Sequence, residues 1–350
     1  MDARLSAEQR ALREAAARLA RDLGPGSVGD LGNARRVARL DAAVAAAGWR
    51  ELRAASGDGA AEPLASAVDA ALVAEELARG LADVTFLGPT LAAELRRLAG
   101  AAEASTLETV ALTPALTGRA SAPAPAPATD NGTADTAVAI DSAGCTSALL
   151  LVAGPDGAEL ATVALSAGKP GPDLTRPVTS AQTTSAERIP VRHALTAALL
   201  DRWSAFTIAM TCADLVGTMR GAVHLGCEYA RIRRQYAAVI GTFQAVQHAL
   251  ASAHVAAEGS ASAALHAAWA ADALPPGEAR LAAAIAKAYC SRAARSVCET
   301  VIQVHGGIGN TWECTAHLYL RRALLSARIL GGTAPSLAYV LANYQISGGA

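Results

Sequence analysis

Aromatic side chains are scarce: Phe, Trp and Tyr make up 4% of the 350 residues, although hydrophobic residues reach 52%. A core of that composition is built from Ala, Leu and Val and favours helices that pack closely. An excess of either charge is also missing. Lys and Arg total 30 against 31 Asp and Glu, a net charge of −1, which leaves neither a basic field for nucleic acid nor an acidic tail. No uninterrupted apolar run reaches the roughly 18 residues of a membrane span. The start, Met1-Asp2-Ala3-Arg4-Leu5-Ser6, carries charge where a signal peptide would be apolar. A cytoplasmic protein with no membrane or nucleic-acid partner is expected. The six cysteines, Cys145, Cys212, Cys227, Cys290, Cys298 and Cys314, form no CxxC pair and read as reduced, mostly buried small hydrophobes. His248, His254, His305 and His317 form no H-x-x-x-H pair, so no metal site is expected.

The length allows two or three packed units. Residues 1–104 read as a helical domain. Ser6 is an N-cap with Gln9 at the capping-box position, a helix over 7–22 follows, and Gly24-Pro25-Gly26 stops it. Further helical patterns cover 34–47 and 66–80, the latter carrying Glu75-Glu76, and a fourth starts near Pro89-Thr90. Residues 105–193 change character. The runs 109–113, 136–140 and 148–152 are strand-like, and Gly154-Pro155-Asp156-Gly157 reads as a turn into a further strand over 159–165. The alternating Ala-Pro run within 120–128, continuing through Asp130-Asn131-Gly132, reads as an extended, mobile loop. Residues 194–350 are helical again, with patterns ending near Tyr236 and covering 243–271, 278–304 and 311–330, then a short helix from Pro335. Long helices on short connections predict a four-helix bundle.

Two stretches could carry chemistry. One is Gln303-Val304-His305-Gly306-Gly307-Ile308-Gly309-Asn310, where three glycines let backbone N–H groups approach a ligand. A Gly-Gly between helices is also an ordinary helix stop. The other is Arg233-Arg234-Gln235-Tyr236, with Ile240 and then Phe243-Gln244 at the break between two bundle helices. A guanidinium there can hold a phosphate, helped by the N-terminus of the following helix, or can simply offset a helix dipole.

Arg-x-Gln-Tyr, then Ile, then Phe-Gln, with Gln-x-x-Gly-Gly-x-Gly downstream, resembles the acyl-CoA dehydrogenase family. Glu228-Tyr229-Ala230, Ala286-Lys287, Leu320-Arg321-Arg322-Ala323 and Gly332-Thr333 agree with it, and Asp173-Leu174-Thr175-Arg176 is a weaker echo in the middle domain. The resemblance implies an α+β fold of helical domain, small β-domain and four-helix bundle. It also implies FAD at a subunit interface. Carried over by position, Arg233, Gln235, Phe243, Gln244, Gln303, Gly306 and Gly307 would hold the pyrophosphate and adenosine of a neighbour's FAD. Tyr236 and Ala237 stand where Phe and Gly are usual.

The family's ring-holding half finds no match. Its first middle-domain motif falls on the Ala-Pro run. The catalytic glutamate that precedes Gly-Thr is Gly331 here, and the cofactor-contacting glutamine two residues after that threonine is Pro335. The alternative base position on the first bundle helix falls near Thr207, and Glu228, Glu299 and Glu313 read as solvated or ion-paired. Asp201, a spare carboxylate, reads as a helix cap. No catalytic residue is assigned. The resemblance therefore implies the non-catalytic partner in an α2β2 heterotetramer of the kind known in actinobacteria, whose catalytic subunit binds the acyl-CoA. Such complexes desaturate bulky thioesters, often steroid-derived. Two other readings stay open: a self-sufficient flavoenzyme with a displaced base, and a cofactor-free helical scaffold.

Overall fold

The computed structural model describes residues 4–57, 62–118, 121–122, 136–154, 157–166 and 171–343. Most of the Ala-Pro run and the Pro155-Asp156 turn lie outside them.

Helices α1 (Ala7–Leu23), α2 (Ala34–Ala46), α3 (Ala67–Arg79) and α4 (Leu87–Ala99) form the first unit. α1 opens on the expected capping box, with Ser6 Oγ accepting the Gln9 N–H and the Gln9 side chain accepting the Ser6 N–H. Glu76 on α3 pairs with Arg13 on α1 at 2.7 Å, and Glu75 pairs with Arg13 and with Arg220. α4 begins two residues before Pro89, and its cap is remote. Asp141 Oδ2 accepts the N–H groups of Phe86 at 2.9 Å and Gly88 at 3.1 Å, so the middle unit closes this helix end.

The middle unit is a sheet of β1 (Glu108–Leu112), β2 (Ser121–Ala122), β3 (Thr136–Ala139), β4 (Ser147–Gly154), β5 (Gly157–Ala164), β6 (Thr179–Gln182) and β7 (Glu187–Arg188). The strand order is β6-β3-β1-β4-β5-β7, and β2 also pairs with β4. β4 takes β1 and β2 as parallel neighbours, and the other pairs are antiparallel. Alternation along the strands separates the two faces. Val110, Leu112, Leu149 and Leu151 join the helical core, while Ala111, Leu150, Val152 and Val163 form a smaller one behind.

α5 (Ala197–Ile232), α6 (Gln244–Ala273), α7 (Pro276–His305), α8 (Ala316–Arg328) and α9 (Thr333–Asn343) complete the chain. Two expectations need correction. Thr196, not Asp201, caps α5: its side chain accepts the Leu199 N–H, and Asp201 lies in the second turn. α8 starts at Ala316 rather than Thr311, because Gly306–Asn310 forms a 3₁₀ turn that delays it. The stretch Ala316–Asn343 has the length and hydropathy of a membrane span. It is not one continuous helix, since Leu330 and Gly331 adopt φ of 53° and 92° and break the i→i−4 ladder between α8 and α9.

α5 runs through the centre of the molecule and crosses α3 at Gly217. A Cβ there would overlap Glu75 O and lie 2.9 Å from Ala78 Cβ. Overpacking of this kind costs about 1–3 kcal/mol. Gly217→Ala should therefore lower the apparent Tm by roughly 1–4 °C in a thermal shift assay. An unchanged Tm would mean that the helices part freely.

Candidate functional site

The two motif stretches meet at one end of the bundle. Arg233 caps α5, its N–H bonded to Tyr229 O at 2.9 Å. The hairpin β8 (Arg234–Gln235) and β9 (Ala238–Val239) follows, turning at Tyr236 and Ala237 with φ of 49° and 60°. Both turn residues are left-handed, so an alanine where glycine is usual stores strain of roughly 1 kcal/mol. Ile240 N–H returns to Arg233 O at 2.8 Å, and Phe243 leads into α6 at Gln244.

A small cluster of Ala230, Ile240 and Leu250, with Val246 and Val304 against it, ties this hairpin to the end of α7. The Tyr229 and His305 rings stack at 4.3 Å. His305 is buried, with Nδ1 2.8 Å from Val301 O, so it packs the clamp from beneath instead of facing a ligand. Beyond it Gly306 turns with φ 64°, and a Cβ on Gly306 or Gly307 would meet nothing within 4 Å. Gly309 differs, since a Cβ there would lie 2.9 Å from Ile302 O. Arg233, Gln235, Phe243, Gln244, Gln303, Gly306 and Gly307 are all exposed at this end. The Arg233 guanidinium makes no hydrogen bond or ion pair among the described residues, and Gln235 bonds only locally, to Arg234 O. An available guanidinium, the positive end of α6 and a 306–307 backbone with open space in front of it suit a pyrophosphate, although the Gly306 N–H itself is given to Gln303 O.

At the opposite side of the protomer the middle unit and the bundle meet in a seam. The position expected for a base is Gly331, and the residue before it donates its N–H to Leu116 O, in the loop after β1, at 2.8 Å. Both leucines are buried. Beneath this seam lies a charged lattice that joins all three units. Asp214 Oδ1 accepts from Arg322 Nη2 at 2.7 Å and Nε at 3.0 Å, Oδ2 accepts from Ser326 Oγ at 2.6 Å, and Arg176 Nη1 stands 3.2 Å away. Arg176 also pairs with Asp173 at 3.0 Å, and Arg322 reaches Thr175 Oγ1 and Ala82 O. Burial alone would raise the Asp214 carboxyl. Arg176 and Arg322 outweigh it and hold the group below its usual range, which makes it a poor base. Burial raises Asp141 nearby, yet the space these groups share is only about 10 Å³. Lys287, also buried, donates to Ser326 O at 2.7 Å and Thr211 Oγ1 at 3.0 Å, and burial lowers its pKa to about 8. Thr207 is fully buried, and Glu228 and Glu299 pair along their own helices with Arg231 and Arg295.

The family of acyl-CoA dehydrogenase C-terminal domains matches residues 205–343, the part of the bundle that carries both stretches. This bundle is an acyl-CoA dehydrogenase C-terminal domain. It is 29% identical over 271 residues to acyl-CoA dehydrogenase IpdE2 of Mycolicibacterium smegmatis, covering 75% of this chain and 74% of that one. It is 41% identical over 133 residues to acyl-CoA dehydrogenase FadE34 of Mycobacterium tuberculosis, covering 38% of this chain and 19% of that one. Among solved structures, a Tcur3481–Tcur3483 steroid acyl-CoA dehydrogenase variant superposes with a TM-score of 0.78 at 22% identity, over 96% of this chain and 97% of that one. The ChsE4–ChsE5 complex of Mycobacterium tuberculosis superposes with 0.77 at 19% identity, over 99% and 100%. PigA with FAD and proline superposes with 0.74 at 18% identity, over 98% of both chains. These likenesses establish the acyl-CoA dehydrogenase fold across all three units. The family's motif reading found the exposed residues at the bundle end. It passed over Asp214, whose three polar partners, Arg176, Arg322 and Ser326, are scattered over the chain.

Proposed function

We propose that this chain is the non-catalytic subunit of a heteromeric, FAD-dependent acyl-CoA dehydrogenase. In this reading Arg233, Gln235, Phe243, Gln244, Gln303, Gly306 and Gly307 hold the pyrophosphate and adenosine of FAD whose ring rests in a homologous catalytic subunit, in an α2β2 heterotetramer. When bound, FAD accepts the β-hydride of the acyl thioester. This chain's own residues anchor and orient the far end of the cofactor: Arg233 by a charge-assisted fork, the 306–307 backbone by the close approach its missing side chains allow, and Phe243 by apolar contact.

The observation that carries the reading is the Leu330–Leu116 backbone bond. A base and a middle-domain-bound ring must face each other across the substrate, which needs at least two van der Waals thicknesses, roughly 7 Å. A hydrogen bond of 2.8 Å directly before Gly331 leaves no such gap at that position, and Gly331 has no side chain to take a proton. The bundle-end clamp, by contrast, is open. Relatives and neighbours that include a steroid acyl-CoA dehydrogenase and a two-name complex favour a bulky, steroid-derived acyl-CoA as the complex's substrate. Co-expression with a homologous subunit that carries an intact base should give a yellow complex with one FAD per two chains, read from flavin absorbance against protein. Desaturation should be lost when the partner's base is removed. A tetramer of this chain alone with one FAD per chain and full turnover would refute the proposal.

A further inference from the structure

The junction of the three units holds two polar atoms that its hydrogen bonds do not use. Asp141 accepts the N–H groups of Phe86 and Gly88 on Oδ2, while Oδ1 has no partner among the described residues. Arg176 donates from Nε to Asp173 at 3.0 Å and from Nη2 to Ser326 Oγ at 2.6 Å. Its Nη1 stands 3.2 Å from Asp214 Oδ1 as an ion pair but makes no hydrogen bond. Asp141 is 3% exposed and Arg176 2%, so bulk solvent reaches neither. Both side chains line one space of about 10 Å³, shared with Asp214 and Arg322, with Val84 and Leu87 on its apolar wall. A second space of the same volume lies between α4, the middle sheet and α5. Leu95, Val110, Leu149, Leu200 and Trp203 line it, and the Trp203 indole N–H is already given to Leu91 O at 3.0 Å.

Each space has room for one water and for nothing larger. A buried donor or acceptor without a partner is rare in folded proteins, because nothing replaces its lost hydration. The occupant of the first space must donate to Oδ1 and accept from Nη1. A cation there would face Arg176 and Arg322, and an anion would face Asp141 and Asp214. A neutral molecule of one heavy atom that both donates and accepts meets the demand. We infer that one ordered water bridges Asp141 Oδ1 and Arg176 Nη1, and that the second, apolar space stays dry. Asp214 offers that water a third partner. The bridge sits where α3, α4, α5 and α8 converge on the middle unit, through Leu77, Leu87, Asp214 and Arg322. Burial raises the Asp141 carboxyl, and a hydrogen bond donated to Oδ1 opposes that shift. It thereby favours the charged form, whose other oxygen caps α4. Nothing in this assignment depends on FAD or on the partner subunit, so it stands or falls apart from the proposed function.

Two measurements on the full-length protein, with its co-expressed partner where solubility needs it, test the bridge. The first is a crystal structure at a resolution that shows ordered waters. Its difference density should hold one peak within hydrogen-bond reach of Asp141 Oδ1 and Arg176 Nη1, and none between Leu95 and Trp203. The second needs no crystal. Val84→Ile and Val110→Ile each add one methylene to a wall, the first beside the two unpaired atoms and the second in the apolar space. A methyl that displaces a bridging water leaves both atoms unpaired, so Val84→Ile should lower the apparent Tm by roughly 1–4 °C. A methyl that fills a dry apolar void adds contacts, so Val110→Ile should leave Tm unchanged or raise it. The bridge is overturned if the first space shows no peak or if both spaces show one. It is also overturned if the two variants shift Tm alike, in either direction.

Discussion

Arg233→Ala is expected to strip FAD from the co-expressed complex while leaving the complex folded. The side chain is exposed and unpaired among the described residues, so its removal should change stability by no more than about 0.5 kcal/mol. A hydrogen bond between charged partners contributes about 1.5–3 kcal/mol, which corresponds to roughly ten- to a hundredfold in affinity. The absorbance ratio of flavin to protein after desalting should fall, and FAD added back should bind with a Kd raised by that factor. Arg233→Lys keeps the charge but not the fork and should lie between the two. If flavin content is the same in wild type and Arg233→Ala, the stretch is packing and the clamp reading fails.

Asp214→Asn should be the most destabilising substitution considered. The carboxylate is 3% exposed and stands between Arg176 and Arg322, both nearly fully buried, so an amide leaves Arg322 without its carboxylate and Arg176 with Asp173 alone. Removing one partner of a buried pair costs about 3–5 kcal/mol. For a chain of this size that means a fall in apparent Tm of roughly 4–7 °C. The pH dependence has a definite sign. The folded carboxyl titrates below its ordinary value of 3.8, so its contribution is fully present above that value and disappears as the pH falls below it. The Tm gap between wild type and variant should be constant from about pH 8 to 5 and close in more acidic buffer. A gap that stays open at acid pH would mean that Asp214 acts by shape and not by charge.

What could be read in advance was what is local. The Ser6–Gln9 box, the helix stops at Gly24 and Gly306, and the Arg233 and Gln303 stretches are short-range patterns, and the architecture followed from them and from the family resemblance. The rest depends on groups distant in sequence. Asp141 caps α4 from more than 50 residues away. Asp214 sits on α5 among apolar positions, and its Arg322 partner lies 108 residues further on. Asp173-Leu174-Thr175-Arg176, quoted above only for its resemblance, turns out to be the middle unit's arm of that lattice. The start of α8 was misplaced because an apolar pattern continues through residues that the glycines hold in a 3₁₀ turn.

The Tyr229–His305 stack has a consequence for thermodynamics. It joins the arginine-bearing end of α5 to the glycine-bearing end of α7 before any ligand arrives. The two jaws therefore behave as one preorganised body, and a ligand gripped by both pays little ordering entropy on closing. Loosening that stack by Tyr229→Ala would leave every contacting group in place yet make capture slower and release faster.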